Sequence, residues 1–84
     1  MKANQTIVLY MNDGVECGTA KSILEAYKLM KDNKELDAEH GWRGLNKYWF
    51  ELQEEDGDTL YTCCVKIYRR GKKVFMRYCD YPEC

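Results

Sequence analysis

The side chains best suited to chemistry are thiols: the 84-residue chain holds five cysteines, at 17, 63, 64, 79 and 84, and one histidine, His40. A thiol nucleophile needs a lowered pKa and a neighbouring base. The first requirement points to Cys17, which stands just ahead of a helix predicted to begin at Thr19, where backbone N–H groups and the helix dipole favour a thiolate. The second has only His40 to meet it, in a stretch that reads as a loop, with no oxyanion loop or orienting partner in view. The plainer reading is a small cysteine in a turn and an exposed histidine. The chain is expected not to be an enzyme, and to need no cofactor.

Zinc would require four convergent ligands. Cys63 and Cys64 are adjacent in a predicted strand and so point to opposite faces, and no C-x-x-C knuckle occurs. The glycines are scattered singly at turns, which leaves no phosphate loop. Glu54, Glu55, Asp56 and Asp58 crowd one hairpin tip, but their spacing matches no calcium loop and reads as a solvated turn. An odd number of cysteines without a secretory leader argues for free thiols in a reducing compartment, so the expected location is cytoplasmic.

Charge distribution says more than charge total. Thirteen basic and 14 acidic residues nearly cancel, which excludes a uniformly basic nucleic-acid binder or a strongly acidic mimic. Yet residues 51–58 carry five acids and no base, whereas residues 59–84 carry six bases and two acids. The bases gather at Lys66, Arg69, Arg70, Lys72, Lys73 and Arg77. Neutrality is therefore a cancellation between two poles.

The elements that must hold these poles follow from periodicity. Gln5 to Met11 is a short strand ended by Asn12-Asp13-Gly14. Ala20, Ile23, Leu24, Tyr27 and Met30 recur at helical steps, which predicts an amphipathic helix over residues 19–32 and a loop from Glu35 to Asn46. From Lys47 the period becomes two. Asp56-Gly57 is a hairpin signal, and a turn there sets Leu52 opposite Tyr61 and Phe50 opposite Cys63. A second hairpin turns within Arg69 to Lys73 around Gly71. The expected fold is α+β: one small domain over 1–84 in the order β-α-β-β-β, an antiparallel sheet with one helix on one face and a short tail at 80–84. No apolar run approaches the ~18 residues of a membrane span.

In that fold the poles become the tips of successive hairpins, at opposite ends of a shared strand and roughly 30 Å apart. Alternation assigns Trp49, Glu51, Leu60, Thr62, Cys64, Lys66, Tyr68, Phe75, Arg77 and Cys79 to the sheet face away from the helix. Aromatics beside long cations suit a protein partner or stacked bases with bound phosphates. Alternatively the 35–46 loop with Trp42, or the tail with Tyr81, folds over this face as a second core.

Two functions are expected from this surface. The first is a protein-binding module that inhibits or modulates a larger intracellular protein or nucleoprotein complex by occluding a site, as compact chains from phages and mobile elements do against host defence or transcription. It would use Trp49, Tyr68, Phe75, Arg77 and the tip bases, or the acidic tip as a phosphate mimic. The second is single-stranded nucleic-acid binding, with Arg69, Arg70, Lys72 and Lys73 on the backbone and Tyr68 or Phe75 on bases. No membrane partner is expected. Homodimerisation through a sheet edge or the aromatic face would compete with either function.

Overall fold

Ile7, Val8 and Leu9 are at most 3% exposed because their strand lies inside a sheet rather than at its edge. The computed structural model describes residues 1–79 and consists of β1 (Gln5–Met11), β2 (Val15–Ala20), α1 (Ile23–Glu39), β3 (Tyr48–Asp56), β4 (Thr59–Arg70) and β5 (Lys73–Tyr78). The five strands form one antiparallel sheet in the order β2-β1-β3-β4-β5, with α1 on one face. The class is α+β, as periodicity indicates. The element order gains a strand.

That strand, β2, replaces the predicted first turn of the helix. Its sequence, Val15 to Ala20, is broken by a bulge, with Leu9 opposite Gly18 but Tyr10 opposite Glu16, so no alternation advertises it. Gly18 has φ +151°, and a Cβ there would stand 3.0 Å from a Leu29 methyl, so the helix approaches as closely as it does because this residue has no side chain.

Ser22, not Thr19, is the N-cap. Its hydroxyl accepts from the Glu25 N–H at 3.1 Å, while the Glu25 carboxylate accepts from the Lys21 N–H at 3.0 Å. The helix runs on to Glu39, well past residue 32, because the polar run Lys31 to Lys34 is a turn in mid-helix rather than an end. Gly41, at φ +80°, supplies the stop: its N–H reaches the Ala38 carbonyl and the Trp42 N–H reaches the Asp37 carbonyl, a Schellman closure. Ala26 is fully buried, and Ile23, Tyr27, Leu29 and Met30 pack against a core of Ile7, Leu9, Phe50, Leu52, Val65 and Ile67. Leu24 faces solvent.

The β3–β4 register also differs from the expectation. The turn is Gly57-Asp58, so Leu52 faces Cys63 and Phe50 faces Val65, two residues from the predicted partners. A shift of two preserves every face assignment, which is why the apolar pattern could not detect it. Glycine at the first turn position, at φ +61° in Gly57 and +59° in Gly71, suits the tight turns that match strand twist in both hairpins.

Candidate binding face

β4 is the longest strand, and its two edges are unequally used. It pairs with β5 through Arg70, but with β3 only through Val65. The β4–β5 hairpin therefore continues beyond β3 as a two-stranded ribbon. Alternation then sorts its cations.

On the face away from α1 the ribbon carries three cross-strand rungs: Lys66 opposite Arg77, Tyr68 opposite Phe75, and Arg70 opposite Lys73. Successive rungs lie two residues, about 6.8 Å, apart. The aromatic rung is stacked, with ring centroids 5.8 Å apart and an interplanar angle of 27°, and its rings are 37% and 39% exposed. Lys66, Tyr68, Arg70 and Arg77 line a shallow cavity of about 500 Å³. None of the four rung cations, Lys66, Arg70, Lys73 and Arg77, forms an ion pair with a carboxylate among the described residues. The arrangement offers two unneutralised positive rows flanking a flat aromatic step.

Of the residues singled out from sequence, Lys66, Tyr68, Phe75 and Arg77 are assembled as expected, and Arg70 and Lys73 join them. Arg69 belongs to the opposite face, opposite Val74, and Lys72 lies in the turn. Trp49 is on the same face as the rungs and stacks on Tyr10 of β1, with centroids 5.8 Å apart and planes at 20°. Tyr10 was not among the expected site residues. Its place there depends on β1 lying beside β3, which no local pattern shows.

The 40–47 segment does not cover this face. Trp42 and Arg43 border a cavity of about 290 Å³ with Lys34, Asp37 and Tyr48, on the helix side, and Trp42 is half exposed beside His40. Tyr81 and the rest of the 80–84 tail lie outside the described residues.

The acidic tip is at the other end of β4. Glu55, Asp56 and Asp58 are exposed there, while Glu54 lies on the helix side and accepts from the Gln5 amide at 2.9 Å. Eleven residue steps separate Thr59 from Arg70, about 37 Å of strand, somewhat more than the sequence implies.

The position expected for Cys17, just ahead of the helix, is not the one it occupies. Cys17 belongs to β2 rather than to a helix N-terminus, and burial, with Asp37 nearby as a lesser cause, pushes its thiol up. Cys63 and Cys64 are likewise raised, first by burial and then by neighbouring charges that include Glu51. Cys17, Cys63 and Cys64 are free, but Cys79 is disulfide-bonded, which corrects the expectation of free thiols throughout. Among the described residues no three His, Cys, Asp or Glu side chains converge on a metal position, and no helix is long and apolar enough to cross a membrane. No protein-family model, curated protein or solved structure matches the chain.

Proposed function

We propose that the chain is a binding module for single-stranded nucleic acid, with the open face of the β4–β5 ribbon as its working surface. The observation that carries this reading is the order of the rungs: cations, stacked aromatics, cations, all on one face. A polyanion with flat bases needs that alternation. Phosphates lie along the basic rows, and a base stacks on the exposed aromatic step for about 1–3 kcal/mol. The acidic tip does not oppose it, since about 37 Å is several times the ~8 Å Debye length at physiological ionic strength.

Fluorescence anisotropy with labelled single-stranded and duplex oligonucleotides tests the proposal. Tight single-strand binding at low salt that weakens steeply on salt addition supports it, and no binding at low salt ends it.

A second reading keeps the ribbon face but gives it a protein partner, whose site the module would occlude. The observation favouring it is the aromatic area outside the ribbon, the Tyr10–Trp49 pair on the same face and the exposed Tyr61 and Tyr78 on the other. Rigid aromatics with a planar guanidinium anchor protein interfaces, and such an interface holds its affinity as salt rises. Light scattering across concentrations tests whether that partner is a second copy.

A further inference from the structure

Beyond Val65 the inner edge of β4 runs without a strand partner among the described residues, and a cavity of about 250 Å³ opens there. Trp49, Lys66, Ile67 and Tyr68 are among its lining residues, together with Met30 of the helix. One member of each aromatic pair lines it, Trp49 from β3 and Tyr68 from β4. Tyr10 stacks on Trp49 from the β1 side and Phe75 stacks on Tyr68 from the β5 side, which leaves one face of each ring without an aromatic neighbour.

We propose that this notch is a nucleobase site. The inference rests on the nucleic-acid reading and deepens it, from a surface that stacks bases to a place that holds one unstacked base. A base entering the notch would lie against the free face of Tyr68 with Trp49 closing its far side. Its hydrogen-bonding edge would meet the unpaired N–H and C=O groups of β4, and Lys66 would hold the adjoining phosphate. Single-stranded ligands are read in this way, through stacking together with bonds to the base edge, whereas a duplex keeps those edges occupied. Groups in an unpaired strand edge are already ordered by the β5 side of the ladder, so binding does not have to organise them.

The chain has two tryptophans, and Trp42 lies on the helix side, so Trp42→Phe leaves Trp49 as the sole emitter. That variant is titrated with an oligothymidylate of about 12 nucleotides, within the usual range of site sizes. Binding is followed by anisotropy of a labelled copy and, separately, by Trp49 emission. The expected result is quenching that saturates with binding. In the same background Tyr68→Ala and Tyr68→Leu each weaken binding at least about fivefold and remove most of the quenching, the loss of one stacking contact. Tyr61→Ala, on the opposite face, changes neither and reports that the sheet tolerates a truncated tyrosine. Binding by anisotropy with unchanged Trp49 emission, or with full affinity in Tyr68→Leu, overturns the notch while leaving the nucleic-acid reading in place. Absence of binding at low salt removes both.

Discussion

Neutralising charge at either end of β4 separates a polyanion-binding ribbon from a generally charged surface. Two variants remove similar numbers of charges: Arg70→Gln with Lys73→Gln deletes the outer basic rung, and Glu55→Gln, Asp56→Asn and Asp58→Asn delete most of the acidic tip. Four cations on the face, Lys66, Arg70, Lys73 and Arg77, neutralise four phosphates of a single strand and give a slope of log affinity against log salt of about −2.8. Affinity should then fall roughly 50-fold between about 50 and 200 mM salt. Without the outer rung the slope becomes about −1.4 and the same salt change costs only about sevenfold. The acidic tip acts across about 37 Å, where screening leaves on the order of 1% of its potential, so its removal should leave both slope and affinity within about twofold. Anisotropy titrations at four salt concentrations measure each slope. An unchanged slope in the basic-rung variant, or an acidic-tip variant that binds several-fold tighter, refutes the reasoning.

Further outcomes follow from the frame that carries the ribbon. Gly18→Ala forces an L side chain into a strained backbone and against Leu29, at a cost of about 1–3 kcal/mol, visible as a lower urea midpoint with unchanged m-value. Ser22→Ala removes the N-cap hydroxyl and costs about 1 kcal/mol, or about 4–8 °C in thermal midpoint for a chain of this size. The free thiols should alkylate with iodoacetamide at pH 8 more slowly than an unhindered thiol, and Asp37→Asn should speed Cys17 by removing the lesser of its two causes. Because the folded state holds these pKa values above their unfolded ones, their contribution to stability is complete below about pH 8.5 and is lost as pH rises through the folded values. Thermal midpoints recorded from pH 7 to 10 check the sign.

Faces were legible in the sequence, and ends were not. Alternation put Lys66, Tyr68, Phe75 and Arg77 on one side because a period of two survives any even shift of register, and the two-residue displacement of the β3–β4 turn left it intact. Arg70 and Lys73 escaped assignment to that face because their orientation depends on the turn being Gly71-Lys72, and several turns within Arg69 to Lys73 fit the apolar pattern equally well. β2 was hidden by its bulge and by Gly18, whose contribution is the absence of a side chain. The helix end was hidden because the polar run Lys31 to Lys34 looks the same in mid-helix as in a loop, although Gly41 ahead of Trp42 carried the stop signal. Tyr10 and the notch depend on which strand neighbours which. Pairing of β1 with β3 across the whole of α1 leaves no local trace.

That same pairing orders the way the molecule assembles. β3, β4 and β5 are consecutive and joined by two-residue turns, so their ladder closes over short loops, whereas pairing Gln5 with Glu54 closes a loop that contains the whole helix. Loop closure is therefore expected to bring β1 onto β3 after that ladder has formed, and the ribbon belongs to the part that can form without it. Kinetic analysis should place Val65→Ala among substitutions that slow folding and Leu9→Ala among those that chiefly speed unfolding. In such an order the ribbon would be a product of the folding nucleus, and the N-terminal hairpin the clasp added to it.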